Sequence, residues 1–330
     1  MSAGVGTSPR RQRRSLPGAA GLGRALRPIA ETRGFACGML WSGIALTLFF
    51  SVLAIFAHVI SPYGFDQYRL GKVLFPQLGP PSALHPFGTT VQSTDVLARI
   101  IWGAQTELTV VGLALVFSLS LGVPLGLFAG YFGGIFDRVL VVVMDAMFAF
   151  PPLLLALVIA FLLGSSITSG VLVAAIAITV VYVPQYFRVL RNHVTAVREE
   201  PYVEAARALG ARPLTILSRY IFFNVIQNVP VLATLNAADA VLTLTGLGFL
   251  GYGVQPTQGA EWGYDVSRAV SDAASGIWWT GLFPGLAIVL LVTGLTLLGE
   301  GLNESMNPVL RRRAILAVKM ERINPARPER

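Results

Sequence analysis

The residues able to do covalent chemistry are few and scattered. His58, His85 and His193 lie far apart, and neither GxSxG nor HExxH occurs, so the clustered nucleophile and base of a hydrolase are missing. The only lysines, Lys72 and Lys319, stand outside any Gly-rich phosphate loop, which excludes an ATPase site in the chain itself. A lone Cys37 excludes an intrachain disulfide, and no metal ligand set, redox centre or cofactor is expected. The informative spacing is mechanical. Residues 200–228 read EPYVEAARALGARPLTILSRYIFFNVIQN, a charged, helix-forming segment between two apolar spans. From Tyr202 to Leu209 the residues are strong helix formers; Gly210 supplies a C-terminal stop, and Pro213 suits the first turn of a second helix. Two short helices meeting at a corner are expected, with Glu204 and Arg207 exposed. Val203, Ala206 and Leu209 or Gly210 are expected to seat in a partner's groove, where small side chains let backbones approach.

What must position this segment is a membrane domain. Hydrophobic residues make up 54% of the chain and charged residues 13%, with a mean hydropathy of +0.66. The apolar residues gather into six blocks, at 36–60, 106–131, 138–163, 170–191, 220–250 and 276–299. At about 1.5 Å per residue, each crosses a hydrocarbon core of roughly 30 Å. The fold class expected is an all-α integral membrane protein with six transmembrane helices, because an open segment in lipid must satisfy its own backbone.

Basic residues set the orientation. Seven arginines lie before residue 34, six between 188 and 219, and seven lysines or arginines after 300; the alternate segments hold only Arg69, Lys72, Arg99 and Arg268. By the positive-inside rule both termini and the 192–219 loop are cytoplasmic, and 61–104 is extracytoplasmic. The net charge of +8 then meets anionic membrane lipid and requires no nucleic acid. The organisation expected is a basic tail at 1–34, a six-helix transmembrane domain at 35–310 and a basic tail at 311–330. The run from 35 to 60 is too long for a signal-peptide core and reads as a retained first helix.

Within the spans, Gly122, Gly126 and Gly130 recur every four residues on one face, for packing within the chain or against a partner chain. Pro151 and Pro152 predict a kink in the third helix, and Asp145 near its cytoplasmic end reads as snorkelling to the interface. The fifth helix is the most polar. Asn228, Asn236 and Asp239 fall on roughly one face of it, lining a candidate translocation path or bonding helices together.

The segment 202–210, followed by Ile216, resembles the EAA motif of binding-protein-dependent ABC importer permeases. HPFGT at 85–89, Asp95-Val96-Leu97, Gly103, Asp137-Arg138, AFPPLLLAL at 149–157, LGFLGYGVQP at 247–256, EWG at 261–263 and LFPGLAI at 282–288 are similar to the dipeptide/oligopeptide (peptide/nickel) subfamily, and within it to the second, C-type, permease subunit. The resemblance covers roughly residues 30 to 310. It departs at Thr90, Val91, Gln92, Ser93 and Thr94, at Leu244, and at Gly248, where the family pattern has Ser. It implies the type I ABC importer permease fold in a bacterial inner membrane. The implied partners are a homologous second permease, two cytoplasmic ATPase subunits and an extracytoplasmic solute-binding protein. Glu204, Ala205, Ala206 and Gly210, with Arg207 beside them, would form the coupling helix. Peptides are the implied cargo, with nickel or haem-type solutes as alternatives within the class. An ion-gradient-driven carrier is the competing class, which would want inverted repeats that this sequence does not display.

Overall fold

The computed structural model describes residues 35–306; the expected basic tails at 1–34 and 311–330 lie outside the described residues. The described chain is helical: α1 (Phe35–Ile55), α2 (Val96–Phe132), α3 (Gly134–Phe148), α4 (Pro152–Gly164), α5 (Gly170–Val197), α6 (Pro201–Ala208), α7 (Val229–Phe249), α8 (Trp262–Ala274) and α9 (Trp279–Met306). Its one sheet is a hairpin of two-residue strands, β1 (Arg69–Leu70) and β2 (Val73–Leu74). Five helices are long and apolar enough to cross a membrane, and α3 with α4 make a sixth if the bent pair is one span.

Polar residues that hydropathy leaves outside a span turn out to be helical and buried. The segment 61–104 is not loop throughout: α2 begins at Val96, because the Asp95 side chain accepts the Ala98 N–H at 2.7 Å and caps the helix. Asp95 is itself fixed by His85, whose Nδ1 lies 2.8 Å from Oδ2. Arg99 lies near the start of α2 and Glu107 about three turns in; both are buried against other segments. At the other loop, α5 runs on to Val197, so residues 192–197 belong to a span. The outer segment after α7 holds α8, whose Trp262, Val266 and Ala269 recur at helical spacing and face the core.

The third block is two helices and not one kinked helix. α3 and α4 meet at 97° across residues 149–151. Pro151 has φ −56° and ψ 131°, the extended state forced on a residue that precedes proline, and Pro152 opens α4 where its missing N–H costs nothing. Asp145 does not simply snorkel: it pairs with Arg188 of α5 at 2.7 Å, and that guanidinium lies 4.3 Å over the Phe148 ring.

The glycine stripe of α2 lies along α5. A Cβ at Gly122 would stand 2.7 Å from the Tyr186 Cβ, at Gly126 2.7 Å from the Phe187 carbonyl oxygen, and at Gly130 2.8 Å from the Arg191 carbonyl oxygen. The stripe therefore packs within the chain, and the helix backbones approach as closely as absent side chains permit. Gly126→Ala is expected to force α2 and α5 apart and cost about 1–3 kcal/mol, read as a lower melting temperature in detergent. A variant melting with the parent would contradict this packing.

Four clusters make the core, two of them small ones that seat α3 and α4. The largest gathers α1, α2, α5, α7, α8 and α9 around Tyr186, Leu244, Trp262 and Leu291. The second lies where α2 and α5 end, around Leu127, Leu190, Val194, Ile216 and Ile221, and it is this cluster that carries α6.

Candidate coupling surface and solute path

Local sequence accounts for α6. Pro201 occupies the first helical position, and the helix ends where Gly210 takes φ +81°, a left-handed conformation glycine adopts without penalty. The Ala211 N–H then returns to the Ala206 carbonyl at 3.1 Å, closing the C-terminus. Arg212 is extended, and Pro213 starts the next helical turn, which gives the corner expected from Gly-Ala-Arg-Pro.

The expected groove contact is partly reversed. Val203 and Ala206 are buried in the second cluster of their own chain, so they seat α6 and are not offered to a partner. The outward face is Glu204, Ala205, Arg207 and Leu209, the last 89% exposed, with Gly210 beside them. Among the described residues, Glu204 and Arg207 make no ion pair. An amphipathic helix with apolar anchors beneath and an unpaired acid and base above is a lug fixed to the bundle.

Bonds that single-residue reading did not anticipate fix the lug to the spans. Arg198, just after α5, donates to the Gly130 carbonyl at the end of α2 at 3.1 Å. Arg191 of α5 grips Asp137 of α3 with two hydrogen bonds, one of them 2.7 Å from Nη2 to Oδ2. Asn224 donates to the Tyr202 hydroxyl at 2.8 Å, tying α6 to the approach to α7. That approach is irregular: residues 216–221 form a π-helical turn and 226–228 a 3₁₀ turn before α7 begins. No local signal marks the Arg191–Asp137 pair, whose members are 54 residues apart.

The polar stripe of the fifth span is not one face. Asn228 closes the 3₁₀ turn before α7 and is exposed, as is Asp239, whereas Asn236, three residues from Asp239 in the same helix, is buried. Asn236 points into the core, in contact with Tyr186 of α5. Thr243 bonds back to the Asp239 carbonyl at 2.9 Å and stands 3.4 Å from the Tyr182 hydroxyl.

At the end opposite α6, α8 is keyed into α2 and α7. The Arg99 guanidinium grips Asp265 through Nε at 2.8 and 2.9 Å and also donates to the Phe65 carbonyl. Trp262 fills a niche at Gly103, where a Cβ would stand 2.2 Å from its Nε1, and its N–H donates to the Ile100 carbonyl at 3.2 Å. A Cβ at Gly263 would stand 2.0 Å from the Thr245 carbonyl oxygen, and one at Gly248 1.6 Å from a Glu261 oxygen. Gly248 therefore departs from the serine of the family pattern at a position where no side chain fits.

A long-helix membrane bundle carrying an anchored amphipathic lug, with a keyed cap at its other end, defines a multi-pass transport subunit. Residues 122–312 match the family described as "Binding-protein-dependent transport system inner membrane component", and the chain belongs to that family. It is 36% identical over 272 residues to a dipeptide transport system permease protein of Alkalihalophilus pseudofirmus, covering 82% of this chain and 85% of that protein. It is 32% identical over 260 residues to a glutathione transport system permease protein of Escherichia coli, covering 79% and 83%. The chain is thus a permease component of a binding-protein-dependent ABC importer, and the gradient-driven class that the sequence left open has no such support.

Proposed function

We propose that this permease imports peptides across a bacterial inner membrane by alternating access, with both termini and α6 on the cytoplasmic side. Both relatives are permeases named for peptide-type cargo, and the basic residues crowd around the α6 loop. The chain pairs with a homologous second permease. Two cytoplasmic ATPase subunits and an extracytoplasmic solute-binding protein complete the complex. The observation that carries this reading is the free outer face of α6, with Glu204, Ala205, Arg207 and Gly210 exposed on a helix that Val203 and Ala206 lock to the bundle.

The stroke runs through these contacts. ATP binding draws the two ATPase subunits together, and each carries a coupling helix with it. Here α6 moves with α2 and α5, because Arg198 and the second cluster hold the three as one body. The paired permeases then open outward, the binding protein delivers solute, and hydrolysis resets them. Asp239, exposed in mid-span, faces the solute path, since a carboxylate there belongs beside water or protein and not lipid; Asn228 stands at the cytoplasmic mouth, and Asn236 is engaged within the chain.

The test is gentle extraction of the tagged chain from its native membrane, with identification of what accompanies it and uptake measured in reconstituted vesicles. A second permease, ATP-hydrolysing subunits and ATP-dependent peptide uptake are expected. A chain that purifies alone and moves solute only down an ion gradient would overturn the proposal.

A further inference from the structure

Glu107 of α2 and Glu261, the residue that caps α8, meet inside the end of the bundle opposite α6. Both are completely buried. The Glu261 oxygens are engaged: one accepts the Gly263 N–H at 2.8 Å and the other the Tyr264 N–H at 2.7 Å, as a carboxylate capping a helix should. The Glu107 carboxyl lies in hydrogen-bonding contact with that of Glu261. The Trp262 backbone N–H is the donor nearest the Glu107 carboxyl, but neither Glu107 oxygen has a well-aligned N–H or O–H partner among the described residues.

No positive charge relieves the contact. The other charge acting on the pair is Asp265 on α8, which is itself gripped by Arg99 of α2. α7 presents Gly248 and Thr245, and α1 presents Phe50, edge-on to Trp262 at 5.7 Å. No group of three or more metal-ligating side chains exists among the described residues. Two ionised carboxylates in dry contact repel strongly, whereas a single proton turns the repulsion into a charge-assisted O–H···O bond. With both Glu261 oxygens accepting well-formed N–H bonds, the proton belongs on Glu107, which has only the poorly aligned Trp262 N–H beside it.

We propose that Glu107 and Glu261 form a proton-binding site, in which Glu107 donates its single proton to the Glu261 carboxylate and so keeps residues 261–263 seated against α2 and α7. Loss of the proton places two negative charges face to face where Gly248 leaves no slack and Trp262 already fills the Gly103 niche. The seat is then expelled. Burial pushes the Glu261 carboxyl up to about 7, against the two backbone N–H groups that favour its charge. A carboxyl pair that holds its proton more tightly when folded is fully seated below the ordinary carboxylate range. It loses that seat as pH rises past neutrality, where the last proton leaves the pair.

Infrared spectroscopy on the intact transporter in lipid tests the site whatever the cargo or energy source, so its failure is separable from failure of the importer reading. The wild-type minus Glu107→Gln difference spectrum, taken below neutrality, is expected to contain a protonated-carboxyl band that shifts in D2O. The same band in the wild type alone should vanish as pH rises past neutrality, which serves if the variant folds poorly. Glu107→Gln keeps an N–H donor toward Glu261 at every pH. Its melting temperature should stay level across neutrality where the wild type's falls, the seating equilibrium changing by about tenfold per pH unit for one proton. No protonated band in the wild type, or the same pH dependence of melting in both proteins, would overturn the proposal.

Discussion

Glu204→Lys is expected to accumulate in the membrane at the parent level and to support no ATP-dependent uptake. Glu204 is exposed on α6 and makes no ion pair with a described residue, so reversing its charge removes nothing that holds the chain together. Its cost falls wholly on a partner. Gly210→Pro reaches the same end by another route: proline holds φ near −65°, Gly210 sits at +81°, and its N–H bonds to the Arg207 carbonyl at 3.0 Å. The corner after α6 cannot form, at a cost of about 3 kcal/mol or more, so the lug is turned away from whatever grips it. Membrane abundance, melting temperature and uptake measured together separate the variants. Glu204→Lys should lose uptake alone; wild-type uptake in a properly inserted Glu204→Lys chain would remove α6 as the coupling element.

Trp262→Ala should have the largest effect on the chain itself. The side chain is completely buried, occupies the Gly103 niche, packs edge-on against Phe50 and donates to the Ile100 carbonyl. Truncating a buried Trp costs about 3–5 kcal/mol, and here it also removes the indole N–H bond to the Ile100 carbonyl. Much reduced yield of folded protein, or a melting temperature many degrees lower, is the expected result. Because Trp262 joins α1, α2 and α8, the loss should appear as early release of α8 in hydrogen exchange. A variant as stable as the parent would show that the cap is not keyed as its geometry indicates.

The two variants probe opposite ends of one lever. α2 and α5 extend from the keyed cap to the lug, and the glycine stripe holds their backbones in contact along the way. A side-chain lattice at each end, Arg99 with Asp265 and Arg191 with Asp137, ties neighbouring helices to that pair. A displacement at α6 therefore moves a rigid body and is not absorbed locally, except at the irregular turns of 216–228 where the approach to α7 can take up strain.

Much of this was legible in the order of residues. Apolar blocks mark the spans because lipid demands helices that bond their own backbones, and the Ala-rich segment ended by Gly210 and Pro213 marks α6 because those residues act on the backbone locally. The glycine stripe was legible as a close contact, though not as to which helix it meets. The start of α2 at Val96 was missed, since Arg99 and its polar neighbours interrupt hydropathy and only Asp265 on α8 makes the burial of Arg99 possible. α8 could have been found from the period of Trp262, Val266 and Ala269. Asn228, Asn236 and Asp239 were read as roughly one face from their spacing, but a step of three residues falls about 60° out of register, enough to bury Asn236 while Asp239 stays exposed.

The sequence by itself determined the membrane class, the number of apolar blocks and the place and limits of α6, all of which rest on composition and on neighbours within a turn or two; the family followed from the resemblance of motifs dispersed along the chain. Tertiary structure alone decided which face of α6 is free, that the paired prolines break a helix outright to 97°, and that Arg99 meets Asp265 and Glu107 meets Glu261 across more than 150 residues. Such contacts depend on packing between distant segments. A buried charge declares its partner only when the helices that carry both have been brought together.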